Sequence, residues 1–389
     1  MNLHPGLTPH ALPPRLVLNT AAEPATSPYG PVRAQVLDQA GFDAARAEIS
    51  SWPGYAATPL RRLPGLAARL GLGQLLYKDE RGRFGLGSFK ALGGAYAVSR
   101  LPRGATVCCA TDGNHGRAVA WGAQLFGCRC VIFVHPQVSQ GRRDAIARYG
   151  AEVREVPGNY DDAVRQAAAT AADQGWTVVS DTSWEGYRDI PRDVMLGYGV
   201  LAAEVVVELK DEAPPTHVLL QAGVGALAAA VCASFWLAWG ARRPRCIVVE
   251  PAQADCVLRS LAAGHPVVVP GELDTVMAGL ACGEVSQLAW AILQGGAQAA
   301  VALDDAWALE AMRLLARPAT GDPAVVGGET GVAGLAALLA LQQQPALRAQ
   351  LGLDDQSCVL LIGSEGDTDP TIYRQVVGLD AQQVLAVPA

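Results

Sequence analysis

A regular alternation of short apolar runs with longer helical stretches constrains the fold of this chain most strongly. Between residues 89 and 180 we predict helices at 89–100, 114–126, 139–149 and 160–174, and strands at 105–110, 129–134, 152–156 and 177–180. Strands separated by helices of about ten or more residues favour a parallel sheet with right-handed crossovers. The four strands therefore predict one open, twisted layer flanked by helices.

A second series of the same kind follows the loop at residues 181–191. Its predicted strands are 217–221, 245–250, 299–303 and 357–362, and its first helix is 192–209. The chain is therefore expected to be an α/β protein with two open, twisted and mostly parallel sheets flanked by helices. Its 389 residues suffice for about two domains. Residues 1–30, rich in proline and poor in charge, are expected to form a loose extension.

Composition and charge narrow the class of function. The net charge of −7 offers no basic field for nucleic acid or an anionic membrane, so neither is an expected partner. The amino terminus lacks the cationic head and apolar core of a secretory signal, and no apolar run reaches the length of a membrane span. The nine cysteines lack the paired spacing of a zinc site. We therefore expect a cytoplasmic protein without a metal site that acts on a small molecule.

The candidate reactive amine is Lys90. Only three of the 30 lysines and arginines are lysines. Lys78 precedes two acidic residues that would keep its ammonium protonated, and Lys210 lies in a charged, solvated helix end. Lys90 follows a glycine-rich loop at a predicted helix start, where burial or neighbouring positive charge would make its amine nucleophilic. We predict that Lys90 forms a Schiff base with pyridoxal phosphate; the alternative is an ordinary surface lysine.

The loop Thr-Asp-Gly-Asn-His-Gly at 111–116 lies between a predicted strand and a predicted helix. In open α/β sheets ligands bind beyond the carboxyl ends of strands, so loops at this position are candidate sites. Asp112 offers a proton acceptor, the amide of Asn114 can orient a ring oxygen, and Gly113 permits close approach of a flat ligand. The alternative is a capping turn before the helix.

Two further loops follow predicted strands. In the first, backbone N–H groups at a helix amino terminus would hold a phosphate. A dinucleotide fingerprint would require a third glycine where the chain has Ala228, so a monophosphate fits better. The residues of this loop are Gly223, Val224, Gly225 and Ala226. In the second loop, Ser364 offers its hydroxyl to a pyridine nitrogen, the alternative being a turn that caps a helix at 370–377.

These motifs occur together and in order. The set comprises Ser88-Phe89-Lys90, the loop 111–116, the loop 221–225 and Ser364-Glu365-Gly366-Asp367-Thr368. It resembles the fold type II, tryptophan-synthase-β-like pyridoxal phosphate enzymes, and within them the diaminopropionate ammonia-lyases. The similarity runs from about residue 55 to 377. It includes the segment 181–187, Asp-Thr-Ser-Trp-Glu-Gly-Tyr, which is typical of the ammonia-lyases rather than of threonine or serine dehydratases.

The resemblance implies a homodimer whose subunits have two domains, with the cofactor in the cleft between them. Residues 1–93 plus 192–389 would form the large domain that binds pyridoxal phosphate. Residues 94–191 would form a small domain inserted after the lysine.

The resemblance also implies roles for single residues. Lys90 would carry the cofactor, and the loop 223–226 would hold its phosphate. Phe89 would lie against the ring, and Asn114 would meet the phenolic oxygen. Ser364 would face the pyridine nitrogen; it stands where close relatives are expected to have threonine, a change that keeps the hydroxyl.

The implied reaction is the α,β-elimination of 2,3-diaminopropionate, in its D or L form, to pyruvate and two ammonia through aminoacrylate. Lys90 is assigned as the base for the L isomer. Asp112, where dehydratases commonly have serine, is assigned as the base for the D isomer on the opposite face. Asp181 would bind or protonate the leaving amine, its alternative role being to cap the loop before Trp184.

Other functions remain open from the sequence alone. A serine or threonine dehydratase would release one ammonia per keto acid instead of two. A catalytically silent relative that only binds amino acids would form no reducible bond at Lys90. A nucleotide-binding Rossmann protein is disfavoured by Ala228.

Overall fold

The computed structural model describes residues 11–111, 113–158, 160–318 and 321–386. The strands in these ranges are β1 Arg15–Leu18, β2 Leu60–Arg62, β3 Gln74–Asp79, β4 Thr106–Ala110, β5 Arg129–Val134, β6 Glu152–Glu155, β7 Thr177–Val178, β8 His217–Gln221, β9 Arg245–Pro251, β10 Ala297–Leu303 and β11 Cys358–Gly363. Most of the predicted strands lie within two residues of these bounds.

The α-helices fill the spaces between the strands. They are α1 Pro31–Ala34, α2 Gln39–Ser50, α3 Pro64–Leu70, α4 Lys90–Ser99, α5 Asn114–Phe126, α6 Gln140–Ala147, α7 Tyr160–Gln174, α8 Asp189–Glu208, α9 Ala226–Trp239, α10 Cys256–Ala263, α11 Gln287–Gly296, α12 Asp305–Ala316, α13 Ala333–Gln342, α14 Pro345–Leu351, α15 Pro370–Val377 and α16 Ala381–Leu385. Among the residues described, no helix combines the length and the apolar character needed to cross a membrane.

Two sheets organise these elements within the described ranges. The larger sheet has seven strands in the order β1-β10-β9-β8-β11-β3-β2. Its five inner strands are mutually parallel, while β1 and β2 pair antiparallel at the two edges. The smaller sheet has the order β6-β5-β4-β7 and is parallel throughout. The predicted α/β class with two open, mostly parallel sheets is confirmed.

The segment before residue 30 differs from the loose extension that its composition suggests. Residues 15–18 form β1, which pairs with β10 from Arg15 opposite Ala302 to Leu18 opposite Ala299. This edge strand is four residues long and takes its partner from a distant part of the chain. Local composition therefore gives no sign of it. Residues 1–10 lie outside the described part of the chain.

Three loops converge at one edge of the larger sheet. Strand β8 ends at Gln221, β11 ends at Gly363, and β3 ends at Asp79, from which a 3₁₀ turn at Glu80–Gly85 leads towards Lys90. Because β8, β11 and β3 are adjacent and parallel, the loops after their carboxyl ends meet. The topology thus brings together three of the four loops that the sequence singled out.

Candidate active site

Lys90 is the first residue of α4, and the loop before it is fixed to the loop after β11. The backbone N–H of Phe89 donates to the carbonyl of Ser364 at 2.9 Å, and the N–H of Gly366 donates to the carbonyl of Gly87 at 2.9 Å. These reciprocal hydrogen bonds hold the lysine and Ser364 side by side. Two loops that are far apart in the sequence therefore form one wall of the site.

The partner of the Lys90 amine is Asp181. Its Nζ donates to Oδ2 of Asp181, and the two side chains are 19% and 20% exposed. Burial by itself lowers the pKa of the Lys90 amine, but the carboxylate of Asp181 outweighs burial and the net pKa is raised. Likewise, burial raises the pKa of Asp181, but Lys90 and then His115 outweigh it and the net pKa is lowered.

This pair corrects one expectation from the sequence. The glycine-rich surroundings of Lys90 suggested that burial or positive charge would lower the pKa of its amine. In the structure a carboxylate 91 positions away stabilises the ammonium instead. Lys90 is therefore held as a charged, oriented side chain in a cleft that is only partly open to solvent.

The other two lysines have environments that exclude them as the reactive amine. Lys78 is buried, and its Nζ donates to Oε2 of Glu204 at 2.6 Å and to the carbonyl of Thr58 at 2.7 Å. The expectation that the acidic residues next to it in the sequence hold its ammonium is wrong, because Glu204 does so. The side chain of Lys210 is 72% exposed, as its charged neighbourhood predicted.

The loop at 111–116 begins α5 with a capping arrangement based on Thr111. The Oγ1 of Thr111 accepts hydrogen bonds from the N–H groups of Gly113 at 3.0 Å and Gly116 at 3.1 Å. A Cβ at Gly113 would lie 3.2 Å from Cδ of Arg142, so the loop is closely covered on that side. Asp112, the predicted second base, lies outside the described residues.

Asn114, the first residue of α5, has its amide fixed from two sides. Its Nδ2 donates to Oε2 of Glu365, and its Oδ1 accepts from Nη2 of Arg117 at 2.8 Å. Glu365 is 4% exposed and its Oε1 also accepts from the N–H of Thr330 at 3.0 Å. An amide nitrogen carries two hydrogens, so one remains for a ring oxygen. Glu365 is a positioning residue that the sequence analysis did not assign a role.

The loop after β8 contains two glycines that no other residue could replace without strain. A Cβ at Gly223 would lie 2.9 Å from Sγ of Cys282 and 3.1 Å from the carbonyl oxygen of Gly279. Gly225 has φ of +85° and directly precedes α9. The first N–H groups of a helix have no partner within it, so α9 begins with donors suited to an anion.

Ser364 lies directly after β11 with its hydroxyl buried. Its Oγ accepts a hydrogen bond from Nε2 of Gln221 at 2.9 Å, and the residue is 1% exposed. Because Gln221 uses a lone pair of the oxygen, the hydroxyl hydrogen is left to donate to an unprotonated ring nitrogen. The alternative prediction was that the turn containing Ser364 caps the helix that follows. That cap is Asp369, whose Oδ1 accepts from the N–H of Ile372 at the start of α15.

The loop that carries Asp181 is anchored on both sides of it. The hydroxyl of Tyr187 donates to the carbonyl of Val178 at 2.8 Å and accepts from the N–H of Ser180 at 3.0 Å. The hydroxyls of Ser183 and Ser286 are 2.7 Å apart, which joins the loop to the start of α11. The loop is thus held in place without the Asp181 side chain, which points to Lys90.

Comparison with known proteins identifies the family of this chain. Diaminopropionate ammonia-lyase of Escherichia coli (strain K12) is 42% identical over 349 residues, 83% of this chain and 88% of that protein. Diaminopropionate ammonia-lyase of Salmonella typhimurium is 40% identical over 358 residues, 84% of this chain and 89% of that protein. The family of pyridoxal-phosphate dependent enzymes matches residues 52–363. The chain belongs to this family, among the diaminopropionate ammonia-lyases. The resemblance inferred from the sequence is confirmed.

Solved structures agree with the comparison of sequences. The crystal structure of diaminopropionate ammonia lyase from Escherichia coli, in complex with an aminoacrylate-PLP azomethine reaction intermediate, superposes with a TM-score of 0.86 at 40% identity. The match covers 94% of this chain and 96% of that one. The similarity of the two folds therefore extends over nearly the whole length of both chains.

The residues of this chain fit pyridoxal phosphate. The primary amine of Lys90 suits the aldehyde of the cofactor. The loop at Gly223, which a Cβ would block, suits its phosphate. The buried hydroxyl of Ser364, whose proton is free to donate, suits its ring nitrogen. The ring of Phe89, which is 6% exposed, lies 5.4 Å from the Lys90 Nζ and offers an apolar face. The cofactor inferred from the sequence is the cofactor of this family.

Proposed function

We propose that this chain converts 2,3-diaminopropionate and water into pyruvate and two ammonia. The observation that carries the proposal is the Lys90–Asp181 pair in a chain that belongs to the diaminopropionate ammonia-lyases. Lys90 would hold pyridoxal phosphate, with Val224 and Ala226 completing the phosphate loop. When bound, the cofactor supplies a conjugated ring that delocalises the negative charge left at the substrate Cα.

Two groups would remove the α-proton, one for each isomer. Lys90 Nζ takes the proton from the L isomer, and the carboxylate of Asp112 takes it from the D isomer on the opposite face. Each step needs a base within hydrogen-bonding reach of the α-carbon. Departure of the β-amino group then releases aminoacrylate, which water hydrolyses to pyruvate and the second ammonia.

Asp181 would bind the β-ammonium of the substrate. Of its two expected roles, binding or protonating the leaving amine, the lowered pKa supports binding, since burial is outweighed by Lys90 and His115. A carboxylate that stays ionised is a poor proton donor but a good partner for a second ammonium. For the L isomer, Lys90 gains a proton when it takes the α-proton and can then pass that proton to the leaving group.

We further propose the assembly in which this site works. Residues 1–93 plus 192–389 would form the large domain and residues 94–191 the small domain, a division supported by the strand ranges of the two sheets. The subunit would act as a homodimer in the cytoplasm on a free amino acid. Asn114, through its remaining amide hydrogen, would orient the cofactor from the small-domain side.

The test is a product count with the purified, cofactor-loaded enzyme. D- and L-2,3-diaminopropionate, serine and threonine are supplied separately, and pyruvate (2-oxobutyrate for threonine) and ammonia are measured together. Two ammonia per pyruvate from diaminopropionate is the expected result. Good turnover of serine or threonine without diaminopropionate would instead establish a dehydratase, and binding without turnover would establish a silent relative.

A pair of lysine variants tests whether Lys90 is the residue that binds the cofactor. Lys90→Ala should abolish the visible cofactor absorbance that borohydride removes, because no other described lysine reaches the cleft. Lys210→Ala, which changes an exposed lysine, is the matched control and should leave that absorbance intact. Retention of the borohydride-sensitive absorbance in Lys90→Ala would refute the assignment.

A further inference from the structure

Tyr198 is a buried side chain next to Lys90 that no step described above uses. It lies on α8 and is fully buried, with its ring 4.6 Å from the ring of Phe89. The Nζ of Lys90 lies 5.7 Å from the centre of the Tyr198 ring. The side chain therefore forms part of the wall behind the reactive amine.

The backbone around Tyr198 is built to bring it close to α4. A Cβ at Gly93 would lie 2.5 Å from Cε1 of Tyr198, so the ring occupies the space that glycine leaves. A Cβ at Gly197 would lie 2.1 Å from the carbonyl oxygen of Leu92, so α8 touches the backbone of α4 directly. The glycines fix the ring one turn along α4 from Lys90.

By donor–acceptor geometry, the hydroxyl of Tyr198 makes no hydrogen bond to any described residue, although Lys90 lies nearby. A buried polar group without a partner is costly, and phenylalanine would fill the same space without that cost. Burial raises the pKa of the Tyr198 hydroxyl, whereas the nearby Lys90 amine acts to lower it. The hydroxyl thus stays neutral and lies close enough to Lys90 to interact with it.

We propose that the Tyr198 hydroxyl is a positioning group that, together with Asp181, orients the Lys90 amine for proton transfer. This proposal rests on the proposed function of Lys90 as the base for the L isomer. A neutral amine has two N–H groups and one lone pair. When Asp181 and the Tyr198 oxygen accept the two N–H groups, the lone pair points in the remaining tetrahedral direction.

The two acceptors differ in a way that makes both useful. Asp181, with its lowered pKa, attracts a charged amine and holds it. The neutral hydroxyl of Tyr198 accepts an N–H from either charge state of Lys90, so it fixes direction with less preference for charge. Among the described residues, His115, which is buried, and the thiol of Cys282 also interact electrostatically with the amine.

The test is Tyr198→Phe, which keeps the ring and removes only the oxygen. With the loaded enzyme, kcat for L-2,3-diaminopropionate should fall up to about tenfold with KM within about twofold, because the neutral amine loses one of the two hydrogen bonds that direct its lone pair. The D isomer, which would use Asp112, should lose less than about threefold. Tyr373→Phe is the matched control, since Tyr373 is equally buried and its hydroxyl likewise makes no hydrogen bond within the described part of the chain.

A second readout does not depend on turnover. In the full-length chain freed of cofactor, Lys90 of the Tyr198→Phe variant should react with an acylating reagent about tenfold faster at fixed pH, because the nearby Tyr198 hydroxyl contributes to the raised pKa of the Lys90 amine. Exposed Lys210 provides an internal reference in the same digest. If Tyr198→Phe fails to fold, 3-fluorotyrosine at position 198 is a weaker acceptor of the same shape, and a smaller increase is expected.

The outcomes separate this proposal from the proposed function. Equal losses for both isomers, or an unchanged rate of Lys90 acylation, would overturn the role of Tyr198. Absence of pyruvate from either isomer with the unmodified enzyme would overturn the proposed function instead. The acylation experiment would still decide whether Tyr198 contacts the amine.

Discussion

Glu204 holds together a buried charge cluster beneath the lysine loop, and its replacement is the most informative stability test. Its Oε2 accepts from Lys78 Nζ at 2.6 Å, and its Oε1 accepts from Nη1 of Arg83 at 2.7 Å. Glu80 bonds the other side of Arg83, at 2.8 Å. The four side chains are at most 5% exposed. Two cations and two anions therefore balance inside the protein.

The expected loss of stability follows from the number of buried charges. Glu204→Gln leaves the cations Lys78 and Arg83 facing the single anion Glu80. Removing one member of a buried ion pair costs about 3–5 kcal/mol because the remaining charge is uncompensated. Glutamine keeps the volume and one acceptor oxygen, so we expect a loss near the lower end, about 3 kcal/mol in the free energy of unfolding. Cofactor affinity should also fall, because Arg83 lies in the turn that leads to Lys90.

The assay is urea unfolding followed by circular dichroism and tryptophan fluorescence, at saturating pyridoxal phosphate. Glu208→Gln is the control, because Glu208 is an exposed residue one turn further along the same helix. It should change the free energy of unfolding by less than about 0.5 kcal/mol. The double variant Lys78→Met, Glu204→Gln restores one cation to one anion and should be more stable than Glu204→Gln alone.

Two results would refute this reasoning. If the free energies of unfolding of Glu204→Gln and Glu208→Gln differ by less than about 1 kcal/mol, the charge of Glu204 is not needed to balance the buried cations. If the double variant is less stable than Glu204→Gln, the loss comes from packing and not from unpaired charge.

Three further predictions concern the active site and the core. Asp112→Asn should lower kcat for D-2,3-diaminopropionate at least about tenfold more than for the L isomer; equal losses would show that Asp112 does not serve one face. Gly223→Ala should weaken cofactor binding at least about tenfold in a titration of the cofactor-free chain, because the added Cβ meets Cys282; unchanged affinity would place the phosphate elsewhere. Burial raises the pKa of the Glu250 carboxyl to about 8. The free energy of unfolding should therefore fall by up to about 1.4 kcal/mol per pH unit between about pH 5 and 8. Glu250→Gln should reduce this slope.

The sign of the Glu250 prediction follows from proton binding. A carboxyl with a folded-state pKa above its ordinary value keeps its proton in the folded state while the unfolded chain has released it. The stabilisation is complete below the unfolded-state pKa and is lost as the pH rises through the folded-state pKa. Glutamine keeps one acceptor oxygen, so only one of the N–H groups of Val257 and Leu258 retains its partner. That loss lowers the stability of the variant at every pH, so the test compares the slopes with pH and not the absolute free energies.

Much of the fold could be predicted from the sequence because helices and strands have different periods of apolar residues. Strands β5 and β8 and helix α5 have the predicted bounds. The edge strand β1 could not be predicted, since it depends on pairing with β10 far along the chain. The three-residue strand β2, which pairs with the nearby β3, was missed because it is too short to show a period of apolar residues. Short strands take their stability from the partner and not from their own sequence.

The candidate site, like the fold, could be predicted only in part from the sequence. The loops that contain Asn114, Gly223 and Ser364 were visible because each follows a strand and has a recognisable glycine or polar composition. Glu365 and Tyr198 were missed, because their importance comes from contacts across the site. Two glycines flank Tyr198 within the apolar stretch 194–203 of α8, and this was the signal that could have drawn attention to it.

The sequence by itself determined that Lys90 was the candidate amine, because only three lysines exist and two lie in charged surroundings. It also determined the α/β class and the family, through the order of the motifs. Only the tertiary structure decided whether the pKa of that amine is lowered or raised. The sequence suggested a lowered pKa, whereas Asp181, brought to Lys90 by the folding of a distant loop, raises it. Electrostatic energy depends on distance in space, which local sequence does not contain.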